Sequence, residues 1–334
     1  MPAALIFLII LALAFDFLNG VHDSSNIVAT MISSRAMQPR AALAMTALAN
    51  FAGPFIFGVA VANTIGDGIV SAEMLNIQVI IAALVSAIVW NVLTWILGIP
   101  SSSSHALIGG IIGAVVVGAG FQAIKLEGVA LVLIALFTSP LIGLLAGWLI
   151  ANLVYVFSMK ASPRVNNLFK NLQIITSFGL ALSHGTNDAQ KTMGIITLGL
   201  LISGVIPSFQ VPFWVILLCA TAIALGTSIG GWRLIHTLGA KFYKIRPVHG
   251  FSSQIASAAV ILTASLLGGP VSTTQVVSTA IMGAGAADRF SKVRWGVAAE
   301  ILSAWLITIP ATALLAGGIY WIIATAIPAM INLF

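Results

Sequence analysis

Polar residues are scarce in this 334-residue chain, and four short stretches hold most of those able to do chemistry. Gly20-Val21-His22-Asp23-Ser24-Ser25-Asn26 lines up with Gly185-Thr186-Asn187-Asp188-Ala189-Gln190-Lys191 at an offset of 165. The alignment pairs Asp23 with Asp188. A carboxylate at the centre of a bilayer costs at least about 2.5–3.5 kcal/mol on insertion scales, so both aspartates need a cavity or a partner. Carboxylate and amide oxygens suit hard cations. Asp23 with Asn26, and Asp188 with Asn187, are therefore candidate ligands for a coupling ion, either a proton or sodium. Asp16 stands about two helical turns before Asp23. It reads equally as part of that seam or as a residue snorkelling to the interface. Lys191 breaks the symmetry, because its counterpart is Asn26. A buried lysine needs an anion, and pairing with Asp188 or Asp23 is favoured over direct contact with a substrate. A fixed ammonium here could also replace one cation of a symmetric pair. His22 and His184 flank the two motifs and suit either proton relay or plain hydrogen bonding.

The other two stretches suit an anion. Pro100-x-Ser102-Ser103-Ser104-His105 matches Pro270-x-Ser272-Thr273-Thr274-Gln275 at an offset of 170. Each precedes an apolar run, where a helix can begin. A helix N-terminus offers free N–H groups and a positive dipole end. Hydroxyls from Ser102, Ser103, Ser104, Ser272, Thr273 and Thr274 would complete a donor cage for a small tetrahedral oxyanion. Few aromatic residues and no arginine pair accompany them, which argues against a large organic substrate. Phosphate and sulfate are not distinguished by this chemistry. The sequence carries no P-loop, no metal-ligand histidine spacing and no nucleophile–base set, which argues against an enzyme or an ATP-driven pump.

The elements that must position these residues follow from composition. Hydrophobic residues make up 60% of the chain and charged residues 7%, against about 25% in soluble domains. Mean hydropathy is +1.11. These values exclude a water-soluble enzyme. Runs such as Val79–Leu97 and Val129–Phe157 lack the alternation of a membrane β-barrel. The expectation is an all-α polytopic membrane protein with about 10–12 membrane segments of about 20 residues each. The single cysteine, Cys219, sits in an apolar run and reads as a packing residue. No basic residue precedes Arg35, so the N-terminal apolar stretch reads as a first helix rather than a signal peptide.

Sorting the charges by loop sets the topology. Cytoplasmic loops collect Lys and Arg. Placing residues 33–40, 158–171, 231–249 and 288–295 in the cytoplasm puts 12 of the 14 basic residues there. The stretches 77–120 and 250–287 must then leave and re-enter the same face as hairpins, with uncharged tips at the two Pro-x-[Ser/Thr] motifs. Such backbone breaks are tolerated at membrane depth where protein or a wet cavity satisfies them. The chain divides into a first repeat, 1–157, a cytoplasmic linker, 158–171, and a second repeat of inverted topology, 172–334. Both termini fall on the extracytoplasmic side. An inverted repeat with broken segments is the signature of a secondary transporter with its site at the repeat interface. A passive channel with two re-entrant loops is the alternative of another class.

These motifs resemble the PiT inorganic phosphate transporter family, which carries a duplicated GANDxxN-type signature. The first copy is Phe15-Asp16-Phe17-Leu18-Asn19-Gly20-Val21-His22-Asp23-Ser24-Ser25-Asn26. The second is Ser183-His184-Gly185-Thr186-Asn187-Asp188-Ala189-Gln190-Lys191-Thr192-Met193-Gly194. Gly250-Phe251-Ser252-Ser253-Gln254 and Gly269-Pro270-Val271-Ser272-Thr273-Thr274 look like its late motif. The resemblance covers nearly the whole chain. It implies import of phosphate across the plasma membrane by cation symport, with a sulfate permease of the same fold as the alternative. It also implies a homodimer, a PhoU-like cytoplasmic accessory protein, and no cofactor. Asp23, Asn26, Asn187 and Asp188 match the ion and phosphate site, with the Ser/Thr tips as phosphate ligands; Lys191 stays a candidate substrate contact on the reading of the residues alone. Asn50 and Gln254 stand at ion-coupling positions where sodium-coupled eukaryotic members carry glutamates, and His22 replaces the usual asparagine. The missing carboxylates point to protons rather than sodium at Asp23 and Asp188. The resemblance to bacterial members also implies a divalent metal–phosphate complex as an alternative form of the substrate.

Overall fold

The computed structural model describes residues 2–99, 101–162, 164–232, 235 and 245–326, except the side chains of 297, 300 and 326. Pro100, and Arg233, Lys241 and Lys244 of the basic stretch 231–249, lie outside the described residues. The described residues are helical almost throughout. Its helices are α1 (Ala3–Ser33), α2 (Pro39–Phe57), the single turn α3 (Ala60–Asn63), α4 (Ile77–Leu97), α5 (Ser103–Gly118) and α6 (Leu126–Ser158). They continue as α7 (Val165–Ile202), α8 (Phe213–Ile229), α9 (Pro247–Leu266), α10 (Thr273–Asp288) and α11 (Trp295–Trp321). An isolated bridge between Val70 and Ile124 is the only β pairing among the described residues.

Among the described residues, five segments are long and apolar enough to cross a membrane: Ala3–Ser33, Pro39–Phe57, Ile77–Leu97, Leu126–Ser158 and Ile301–Thr325. The orientation of α6 shows why. Its buried residues, Val132, Leu136, Ser139, Gly143, Gly147 and Ala151, recur every three or four positions and form one stripe. The rest of its surface exposes Leu131, Ile134, Leu141, Leu145 and Leu149, as a lipid-facing helix must. The stripe is built of small residues where α6 meets α10, which lets the two backbones approach closely. A Cβ on Gly283 of α10 would lie 2.1 Å from the Leu144 carbonyl oxygen.

The two expected hairpins are α4–α5 and α9–α10. Each first arm ends at a left-handed glycine, Gly98 (φ 69°) or Gly268 (φ 75°), a conformation glycine adopts without penalty. Helices from the two parts of the chain interlock: α1 packs on α8, α2 on α7, α5 on α11 and α6 on α10. The close approaches follow the same exchange. A Cβ on Gly20 of α1 would lie 2.3 Å from the Ile223 carbonyl, and one on Gly185 of α7 would lie 2.3 Å from the Asn50 carbonyl.

The stretch 158–171, read from the sequence as a cytoplasmic linker, takes in the first turns of α7, which begins at Val165. Polar residues mark where a segment leaves lipid, not where its backbone hydrogen bonds stop. Buried Phe169 and Gln173 keep that extension folded against its neighbours.

Candidate functional site

Two helices supply the centre. Residues Asn19–Met31 of α1 are buried in an unbroken run, and so are Ser183–Leu200 of α7. A helix buried on every face lies inside the bundle. The polar motifs of both helices are therefore held by neighbours on all sides, and α5 and α10 bring their N-terminal ends to them.

Those ends are capped alike. Ser102 Oγ accepts from the His105 N–H at 3.1 Å, and Ser272 Oγ accepts from the Gln275 N–H at 3.4 Å. The tips also meet each other: Ser104 Oγ donates to the Val271 carbonyl at 3.1 Å, and the Gln275 amide nitrogen lies 3.4 Å from His105 Nε2.

Between the tips and the two central helices lie the carboxylates. Thr274 Oγ1 donates to Asp23 Oδ1 at 2.9 Å, and Thr273 Oγ1 donates to Asp188 Oδ2 at 3.0 Å. Thr273 Oγ1 also reaches Asp23 Oδ2 at 3.4 Å, so one hydroxyl spans both acids. His22 Nδ1 lies 2.8 Å from Asp23 Oδ1. His184 Nε2 lies 3.1 Å from Asp188 Oδ2 and 3.9 Å from Asp23 Oδ2, in ion-pair range but off the hydrogen-bond axis. Lys191 Nζ donates to Asp188 Oδ1 at 2.5 Å, Ser104 Oγ at 2.6 Å and the Val271 carbonyl at 3.0 Å. Asn26 Nδ2 donates to Thr274 Oγ1 at 3.0 Å. Asn187 Nδ2 donates to Ser265 Oγ at 2.9 Å and reaches the Gly269 carbonyl at 3.3 Å.

The charge balance is uneven. Of the groups in direct contact, Asp23 and Asp188 face the one ammonium of Lys191, which leaves one negative charge in excess while His22 and His184 are neutral, and buried Asp16, outside this contact set, adds no positive charge. Two unit charges 4 Å apart interact by about 4 kcal/mol at an effective dielectric of 20. That excess must be met by a proton on a histidine or carboxylate, or by a cation. Acceptors for a cation are present: Asn19 Oδ1, Asn26 Oδ1 and Asn187 Oδ1 are buried with no hydrogen-bond donor. Ligand atoms of Asp23, His184 and Asp188 all lie within 4.8 Å of one another. The predominance of oxygen donors fits a hard cation such as sodium.

The sequence profile described as the Phosphate transporter family matches residues 19–163 and 157–316, nearly all of the chain. The chain belongs to the phosphate transporter family. A probable low-affinity inorganic phosphate transporter of Rhizobium meliloti (strain 1021) is 46% identical over 95% of this chain and 96% of its own length. One of the same description from Bacillus subtilis (strain 168) is 45% identical over 95% and 96%. The solved structure of a sodium-dependent phosphate transporter superposes with a TM-score of 0.87 at 26% identity, covering 96% of this chain and 99% of that one. Membership with several apolar spans makes this a multi-pass membrane protein.

For this family member, the structure brings together Asp23, Asp188, Lys191, Asn26, Ser104, Thr273 and Thr274, with Asn187 at the edge near Gly269. Ser103 is buried at the first tip. Ser102 and Ser272 cap their own helices, each Oγ accepting from the N–H three residues on. Thr273 and Thr274 are aimed at carboxylates, because charged acceptors take the stronger hydrogen bonds, whereas Ser104 donates to the Val271 carbonyl. Asn50 and Gln254 bond elsewhere. Asn50 Nδ2 donates to Thr227 Oγ1 at 2.9 Å, tying α2 to α8. Gln254 joins Thr30 at 2.9 Å and Thr176 at 2.5 Å. Asp16 is fully buried rather than snorkelling, and neither of its oxygens has a hydrogen-bond partner. The sequence reading missed Asn19, whose Nδ2 lies 3.4 Å from Asp188 Oδ2. The signal was available, since Asn19 aligns with His184 at the same offset of 165.

Proposed function

We propose that this protein imports inorganic phosphate across the plasma membrane by symport with a cation, using alternating access about the Asp23–Asp188 cluster. The cluster's excess negative charge carries this reading. A phosphate anion approaching two buried carboxylates needs a positive charge to arrive with it, because the ammonium of Lys191 balances only one of them. Protons on His22 or His184, or sodium among the carboxylate and amide oxygens, would supply it. Binding of that cation would also release Thr273 and Thr274 from the aspartates and free their hydroxyls for phosphate. The names of the curated relatives favour phosphate over sulfate as substrate.

The hairpins α4–α5 and α9–α10 act as the two gates, one to each side. The halves 1–157 and 172–334 are read as repeats of inverted topology. Support comes from features that recur at an offset of 170: the capping serines Ser102 and Ser272, the left-handed Gly98 and Gly268, and the in-helix prolines Pro140 and Pro310. The charge pattern places both termini outside the cytoplasm. A homodimer and a PhoU-like cytoplasmic partner follow from the family resemblance.

Uptake of radiolabelled phosphate into proteoliposomes tests this, with proton and sodium gradients imposed separately. One gradient should drive accumulation above the external concentration, and excess sulfate should not compete. Passive equilibration under both gradients would instead make the protein a channel.

A further inference from the structure

Building on that reading of the site, we infer that the ammonium of Lys191 permanently fills one of two repeat-related cation places. External cations are then left only the place beside Asp23. The cage around Lys191 Nζ is made of three oxygens: Asp188 Oδ1, Ser104 Oγ and the Val271 carbonyl, at 2.5, 2.6 and 3.0 Å. A carboxylate, a hydroxyl and a backbone carbonyl are the donor set of a hard-cation site. Here they converge on a cation that belongs to the chain.

The same offsets generate the second place. Asp188 corresponds to Asp23 and Lys191 to Asn26, while Ser104 corresponds to Thr274 and Val271 to Ser101. In that place Thr274 Oγ1 is 2.9 Å from Asp23 Oδ1, and Asn26 Nδ2 is 3.0 Å from Thr274 Oγ1. So carboxylate, hydroxyl and the position-26 side chain gather as they do around Lys191. No ammonium is present. Instead Asn26 Oδ1 is buried without a donor, an acceptor left over where the other place has a positive charge. The two places thus share a carboxylate and a hydroxyl; they differ in His22, whose Nδ1 lies 2.8 Å from Asp23 Oδ1, and in Lys191 against Asn26, so only the first has a fixed positive charge from its own chain.

Replacing Lys191 with the residue found at its counterpart should therefore open the first place. Sodium bound by the purified protein is counted by equilibrium dialysis with the labelled ion at mildly alkaline pH. Lys191→Asn should bind one more sodium per chain than wild type, and its melting temperature should rise more in sodium chloride than in choline chloride. An equal count in a folded Lys191→Asn protein overturns the proposal. Should that variant not fold, Lys191→Gln offers the same amide oxygen on a longer stem. Failure of both to fold in saturating sodium also overturns the proposal, since sodium would then not replace the ammonium. The uptake assay above tests the underlying reading separately. Wild-type vesicles that never accumulate phosphate sink that reading, while the sodium count still decides what Lys191 replaces.

Discussion

The two hairpins have nearly the same backbone and quite different chemistry. Both turn through a left-handed glycine and restart at a capping serine. Beyond that they diverge. The first arm of α4–α5 is apolar enough to span a membrane and buries Val79–Leu84 against neighbouring helices. The first arm of α9–α10 buries Ser252, Ser253, Gln254, Ser257 and Ser265 instead. At the tips, Thr273 and Thr274 bond both aspartates directly, whereas Ser104 reaches Asp188 only through Lys191. Their open ends differ too. Asp288 accepts from Arg246 at 2.7 Å and Lys292 at 2.6 Å, tying the start of α9 to the end of α10. Two hairpins of like turn and cap can thus hold groups in matching places while single side chains decide which of them handles charge.

Breaking the shared centre should have the largest effect. Asp23→Asn or Asp188→Asn should lower phosphate uptake at least 100-fold in protein that still folds, because each removes a charge the cycle uses; near-normal uptake in either would remove its role. The tips should then separate. Thr274→Val loses two hydrogen bonds at Asp23 and Asn26, and should cut uptake about tenfold. Ser104→Ala leaves Lys191 bonded to Asp188 and Val271, and should cost only a few-fold. Equal losses would mean that the two tips do the same work. Removing the shared caps should give matched, smaller effects. Ser102→Ala and Ser272→Ala should each destabilise by about 1 kcal/mol in thermal unfolding, the usual worth of a cap. The smallest effect is expected at the α9–α10 open end. Burial pulls the Asp288 carboxyl up, but the Lys292 hydrogen bond and the charges of Arg246 and Lys292 outweigh it and leave the carboxyl below the usual 3.8. A depressed carboxylate stabilises above its ordinary value and ceases to as pH falls below it. Asp288→Asn should therefore lower the melting temperature slightly at neutral pH and lose its effect in strong acid.

Much of this was readable in the sequence, for a physical reason. In a chain this apolar, Asp23, Asp188 and Lys191 stand out because lipid tolerates so few alternatives for a charge. Constant offsets then paired the motifs without any structure. What stayed hidden was direction. Thr274 and Asp23 are 251 positions apart, and nothing local tells whether that hydroxyl faces an open cavity or a carboxylate. Ser102 and Ser272 belong to motifs that suit an anion, yet their nearest demand is the backbone three residues on. Asn50 and Gln254 share motif positions with the site but are held by Thr227, and by Thr30 and Thr176, on facing helices.

If a cation and phosphate meet at one cluster, as proposed, each must depend on the other for binding. Phosphate binding to the purified protein is titrated over a range of proton and sodium concentrations, and cation binding over a range of phosphate. Coupling free energy is reciprocal. One of the two cations should raise phosphate affinity at least tenfold, phosphate should raise that cation's affinity by the same factor, and Asp188→Asn should abolish both. Phosphate affinity independent of both cations and unchanged in Asp188→Asn would contradict the account.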